Sequence, residues 1–112
     1  MTLSLRELQL VFDGMRDGVV VVEPPRVVEV NPALCGLVQC RHKKIVDAGI
    51  HDLFHPADRQ LLDELFAGAA EEPPDLVRLL CSDGSTLSCS LTAMRSGPTW
   101  FLTLRPLDAG DP

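Results

Sequence analysis

Asp83-Gly84-Ser85-Thr86-Leu87-Ser88-Cys89-Ser90-Leu91 reads as a turn feeding a strand. Asp and Gly form turns for different reasons, the first by hydrogen-bonding nearby backbone and the second by its freedom at positive φ. Beyond Thr86 the residues alternate, placing Cys89 and Leu91 on one side of a sheet and Ser88 and Ser90 on the other. Such a strand needs neighbours, and the flanking sequence supplies them. Asp75 to Ser82 predicts a strand before the turn. The quoted strand continues to Met94, a second turn falls at Ser96-Gly97-Pro98, and a further strand follows from Trp100 to Arg105.

Two more strands lie near the N-terminus. Gly18-Val19-Val20-Val21-Val22-Glu23 and Arg26-Val27-Val28-Glu29-Val30 flank Pro24-Pro25. Valine suits a pleated sheet and proline cannot donate to its ladder, so the segment predicts a hairpin. The middle of the chain carries helix signals instead. Asn31-Pro32 is a start signal, with Asn accepting from free N–H groups and Pro filling a position whose N–H needs no partner. A short helix through Leu34, Leu37 and Val38 follows, and replacing Asn31 by Ala is expected to cost about 1 kcal/mol as the loss of a cap. Another short helical segment falls within Lys44 to Leu53. His55-Pro56-Ala57-Asp58 opens a clearer helix, with Asp58 set to complement its dipole and Leu61, Leu62, Leu65, Phe66 and Ala69 on one face. Glu71-Glu72-Pro73-Pro74 ends it.

At the start of the chain, Ser4-Leu5-Arg6-Glu7 fits a capping box. The helix it opens carries Leu5, Leu8, Phe12 and Met15 as a narrow apolar stripe, ended by Asp17-Gly18. Two strands, then helices, then three strands predict an α+β layer pair.

The 112 residues fit one domain. A net charge of −6 and the lack of any basic cluster beyond Arg41-His42-Lys43-Lys44 argue against nucleic-acid binding, which needs concentrated positive charge. Neither a secretory leader nor an apolar run long enough to span a bilayer is present, so a cytoplasmic, non-membrane protein is expected. The four cysteines should then remain reduced thiols, and the spacings Cys35-x4-Cys40 and Cys81-x7-Cys89 are not those of structural zinc sites. No nucleophile elbow, His-Glu-x-x-His or phosphate-cradling glycine loop occurs, and the acidic residues sit at helix ends and turns. An enzyme is therefore not expected. His55 beside Pro56 reads as a local cap, and His51 has no visible partner that would make it a sensor.

Three segments in order, Asn31-Pro32-Ala33-Leu34, then Leu53-Phe54-His55-Pro56-Ala57-Asp58-Arg59, then the stretch from Asp83 to Leu91, resemble the Per-Arnt-Sim (PAS) sensor domain. The resemblance implies a five-stranded antiparallel sheet with helices on one face and an N-terminal flanking helix. Residues 1–17 would be the flanking or dimerisation helix, 18–106 the PAS domain, and 107–112 a linker or tail. It implies a sensory or regulatory domain of a histidine kinase, diguanylate cyclase or transcription regulator, acting by ligand-modulated or constitutive dimerisation. The alternative is an association module of the same fold with no ligand. A homodimer is expected, with a C-terminal effector domain or a separate signalling partner. Two features depart from the family's habit: Pro24-Pro25 replaces a glycine turn, and Arg105-Pro106-Leu107 replaces the usual acidic exit from the last strand.

By the same resemblance, a ligand pocket would be lined by Val20, Val22, Leu34, Leu37, Ile50, Phe54, Leu62, Phe66, Leu79, Cys89, Leu91 and Leu102. This lining suits a small apolar ligand. Haem-binding relatives use a histidine in the helix that here reads Gln60-Leu61-Leu62-Asp63-Glu64-Leu65, which has none. In flavin-binding relatives of the light-sensing type the photochemical cysteine position becomes Ile50, and the polar residues that hold the ring fall near Val22, Leu79, Cys89 and Leu104. Neither cofactor is expected, because a flavin's polar edge would lose about 1–3 kcal/mol for each unsatisfied group. The dimer interface would comprise Leu5, Leu8, Phe12 and Met15 with Val21 and Phe101 on the outer sheet face.

Overall fold

A computed structural model describes residues 4–68 and 75–107. The chain begins with α1 (Leu5–Gly14), followed by the hairpin β1 (Gly18–Glu23) and β2 (Arg26–Val30). Three helices come next, α2 (Pro32–Val38), α3 (His42–Ala48) and α4 (Arg59–Ala67), with 3-10 turns at Ile50–Leu53 and Pro56–Asp58. The strands β3 (Leu76–Leu80), β4 (Thr86–Ser96) and β5 (Thr99–Pro106) complete it. All pairings are antiparallel, and the five strands lie in the order β2-β1-β5-β4-β3. The first and last strands are thus neighbours at the centre, which closes the chain on itself. This is the expected five-stranded sheet with helices and an N-terminal flanking helix.

Local chemistry accounts for most boundaries. The capping box forms: Glu7 N–H donates to Ser4 Oγ and Ser4 N–H to Glu7 Oε1, both at 3.1 Å. Helix α1 stops at Gly14, before the expected Asp17-Gly18, because glycine loses the most backbone freedom in a helix. The region expected to hold one helix between Lys44 and Leu53 holds two pieces. Gly49, at φ 96°, separates α3 from the following 3-10 turn. At Pro56 a 3-10 turn precedes α4 proper. The expected helix end at Glu71-Glu72-Pro73-Pro74 and the expected tail beyond Asp108 lie outside the described residues.

The core lies between the sheet's inner face and α2 to α4. Val20 and Val22 of β1, Leu79 of β3, Cys89 and Leu91 of β4, and Leu102 and Leu104 of β5 meet Leu34, Ile50, Phe54 and Leu62 in one buried cluster. Gly18 permits close packing: a Cβ there would lie 3.1 Å from Cδ1 of both Leu34 and Leu37 and 3.2 Å from the Leu34 Cα. At one end of the sheet Phe66 and Trp100 meet edge to face with centroids 5.7 Å apart, and Arg95 Cζ lies 5.5 Å from the Trp100 ring.

Candidate functional site

The residues expected to line a pocket come together in one buried interior. Ten of the twelve are buried members of a single cluster, and Leu37 and Phe66 pack against it half-buried. Surface clefts skirt it; Ile50 borders one of them beside Pro25 and His51. Among the described residues no buried side-chain nitrogen or oxygen lacks a hydrogen-bond partner, so no orphaned polar group points at a missing ligand.

Two buried polar residues organise the frame around this interior. Asn31 is fully buried. Its Oδ1 accepts from Leu34 N–H at 3.1 Å, the expected cap, and also from Val19 N–H at 2.9 Å. Its Nδ2 donates to Asp17 O at 2.9 Å and to Phe12 O at 3.4 Å. One amide therefore joins α1, the α1–β1 link, β1 and α2, a role the sequence reading missed. Asp17 is held a second time by Arg105, whose Nη2 lies 3.2 Å from Asp17 Oδ2; this hydrogen bond raises the guanidinium pKa.

Asp58 stands at the start of α4 as expected, but its carboxylate makes no cap bond there and turns to β3. There it accepts from Arg78 N–H at 2.8 Å and from Arg78 Nε and Nη2 at 3.2 Å each. Burial alone would raise its pKa, but the Arg78 side-chain and backbone hydrogen bonds outweigh it and hold the carboxyl below its ordinary value. His55 does cap locally, Nδ1 accepting from Ala57 N–H at 3.0 Å. His51, for which the sequence offered no partner, meets Asp63 of α4 at 2.6 Å. His42 pairs with Glu29. Burial would raise the Glu29 carboxyl, yet the bonds from His42 and from Val30 N–H hold it lowered.

The second candidate site is the outer face. Glu29, Val21, Phe101 and Met94 form a row across four strands. Helix α1 lies beside this row and buries none of its residues. Leu5 is 86% exposed and Leu8 48%, while Phe12 is half-buried. Between helix and sheet runs an apolar groove of about 430 Å³ lined by Leu5, Leu8, Val11, Phe12, Met15, Val21 and Phe101. The structure thus brings all six expected interface residues to one groove. Met94, 67% exposed, extends the apolar surface beyond it.

Among the described residues, no helix is long and apolar enough to cross a membrane, and no group of three His, Cys, Asp or Glu residues is arranged to hold a metal. The sequence model of the PAS domain family matches residues 6–77, from α1 into β3. The chain belongs to the PAS domain family. Solved structures share its fold at low identity. A domain of a sensory box sensor histidine kinase/response regulator from Geobacter sulfurreducens superposes with a TM-score of 0.73 at 16% identity, covering 89% of this chain and 91% of its own. A PAS domain from Colwellia psychrerythraea gives 0.75 at 15% identity, covering 94% and 98%. The PAS domain of a LuxR-family transcriptional regulator from Burkholderia thailandensis, solved in complex with ethanol, gives 0.74 at 13% identity, covering 94% and 98%. No curated protein sequence matches the chain.

Proposed function

We propose that this chain is a regulatory domain of a signal-transduction protein and works by homodimerisation through α1 and the outer sheet face. The observation that carries the reading is the α1 groove. A helix of ten residues is marginal in water, and this one leaves its apolar stripe open beside Val21 and Phe101. An apolar surface of this kind marks a contact site. A second copy supplies the same stripe, so a two-fold contact covers both at once. A histidine kinase, diguanylate cyclase or transcription regulator is the expected context; kinase and regulator domains share the fold. The reading gives the domain no catalytic role, no haem or flavin, and a cytoplasmic setting.

The buried interior favours a constitutive dimer over one modulated by a ligand inside the core. Among the described residues none of its buried side-chain nitrogens or oxygens is left unpaired to anchor a ligand, and its apolar side chains form one buried cluster. Light scattering over a concentration series tests the assembly: a dimer is expected for the native chain and a weakened one for Leu8→Glu and Phe12→Glu. A native chain that stays monomeric at high micromolar concentration, or an unchanged dimer in both variants, refutes it. Native mass spectrometry separates the two modes, since a stoichiometric added mass means a core ligand.

A further inference from the structure

Two cysteines meet where α2 ends. Gln39, the residue past the helix, lies in the left-handed region at φ 56°, and its N–H and that of Cys40 both turn back to the carbonyl of Cys35. In this kind of helix ending the second residue beyond the helix folds onto a side chain of the last turn. Cys40 is that residue, and Cys35 is the one it meets. Cys40 N–H donates to Cys35 O at 3.1 Å. Standard bond lengths around this contact leave the two Cα atoms no more than about 7 Å apart, and the bends at oxygen and nitrogen shorten the span further. A disulfide bridges Cα atoms about 4.4–6.8 Å apart.

The side chains converge as well. Both cysteines are half-buried and pack against the same core cluster. Burial and then Cys40 raise the Cys35 thiol, and an effect of one sulfur on the other requires that they lie close. The turn that joins them is held from outside, because Ser82 N–H donates to Val38 O at 2.9 Å and the Ser82 hydroxyl to Gln39 O at 2.6 Å. The other two thiols are placed differently. Burial pushes Cys89 up to about 11, and the Cys81 thiol donates to Leu37 O at 3.5 Å.

We propose that Cys35 and Cys40 form a reversible disulfide, making the end of α2 a thiol–disulfide switch driven by a low-molecular-weight disulfide such as glutathione disulfide. In a reducing compartment a bridge of this kind is transient and regulatory. Cys40 borders an open cleft beside Ile45 and Leu53, so it is the thiol that meets the oxidant first. As a thiolate, its Sγ bonds to one sulfur of the oxidant, whose S–S bond breaks and releases the other sulfur as a thiol. Cys35 then gives up its proton and attacks Cys40 Sγ, expelling the second thiol. The pair loses two electrons and two protons, and the oxidant gains them. Cys35 also lines the cleft shared with Gln9 and Asp13 of α1, so the bridge forms beside the helix of the proposed dimer contact without depending on that contact.

The test equilibrates the native chain in glutathione redox buffers, blocks the remaining thiols with iodoacetamide and digests with trypsin. Cys35 and Cys40 fall in the fragment 27–41, and Cys81 and Cys89 in the fragment 79–95. Fragment 27–41 is expected to lose the mass of two hydrogens while both thiols of 79–95 stay free, and dithiothreitol should restore it. The folded chain should reach half-oxidation in a buffer about tenfold more reducing than the chain in urea requires, a preference of about 1.4 kcal/mol. Cys35→Ser should take up glutathione on Cys40 about tenfold faster than Cys40→Ser takes it up on Cys35. A bridge that involves Cys81 or Cys89, no mass loss in 27–41 in the most oxidising buffer, the same midpoint folded and unfolded, or equal uptake by the two variants overturns the proposal.

Discussion

Replacing Asn31 by alanine should cost about three times what loss of a helix cap costs. As a cap alone, the residue would be worth roughly 1 kcal/mol. The structure gives it two buried donors to satisfy, Val19 N–H at 2.9 Å and Leu34 N–H at 3.1 Å. Both residues are almost wholly buried, so water cannot replace the lost oxygen easily. At about 1–3 kcal/mol for each stranded group, the two together cost roughly 3 kcal/mol. The Asp17 carbonyl belongs to a half-buried residue and can be rehydrated, so it adds little. For a domain of this size each kcal/mol lowers Tm by about 4–8 °C, giving a fall of roughly 12–24 °C. Urea unfolding reports the same loss through Trp100, the only tryptophan, half-buried against Phe66. With a slope of about 1–2 kcal/mol per molar urea the midpoint should fall by roughly 1.5–3 M. Asn31→Ser distinguishes hub from cap. A serine hydroxyl can serve Leu34 N–H as a cap but leaves Val19 N–H stranded, so it should recover only about 1 kcal/mol. An alanine variant within about 1 kcal/mol of the native chain, or full rescue by serine, would refute the reasoning.

Other outcomes follow from the same contacts. Asp58→Asn should cost about 1–2 kcal/mol at pH 7, the Arg78 side of the pair being partly solvated. Because the Asp58 pKa is lower in the folded chain than the ordinary value near 3.9, its contribution is complete above about pH 5 and is lost as pH falls through the folded value. The stabilities of the native chain and the Asp58→Asn variant should therefore converge as pH falls below the ordinary carboxyl value near 3.9 and on through the lower folded value, and a gap that persists undiminished down the acid limb would be inconsistent with that origin. Gly18→Ala places a methyl group against the Leu34 backbone, which cannot yield, and should lower stability by about 1–3 kcal/mol in the same urea assay. The freshly purified chain should show neither a Soret band nor flavin peaks in an optical scan, and near-stoichiometric absorption of either kind would reverse the cofactor reading.

The sheet was legible because its signals are local and repeat. The valine runs at Gly18–Glu23 and Arg26–Val30 are the strands observed, residue for residue, and the turn at Asp83-Gly84 falls where its chemistry places it. Helix ends were read less well. Local rules gave the start of α2 at Pro32, but α3 begins at His42 behind Arg41, which makes no side-chain cap bond and leaves no mark in the sequence. The inner face was legible as a parity pattern: alternation in β1, β4 and β5 selects Val20, Val22, Cys89, Leu91 and Leu102, and all are buried. That pattern names the residues that meet inside the sheet. Whether they leave room for a ligand depends on how several elements close together, which no periodicity encodes.

Polar side chains were the harder case, for a reason visible at Asn31 and Asp58. Each was read only for its place at a helix start, Asn31 as a cap and Asp58 as a complement to the dipole, because such roles are local and spacing reveals them. Their remaining partners are distant in sequence. Asn31 reaches back 12 residues to Val19 and 19 to Phe12, and Asp58 reaches 20 residues forward to Arg78. A buried amide with two acceptor sites and two donor hydrogens must fill them wherever the fold supplies partners, and an ionised carboxylate must do the same. Asparagine followed by proline therefore announced a helix start correctly while concealing the larger part of what the residue does: it holds the carbonyl end of α1 against the first strand, and so fixes the helix whose apolar stripe faces the groove.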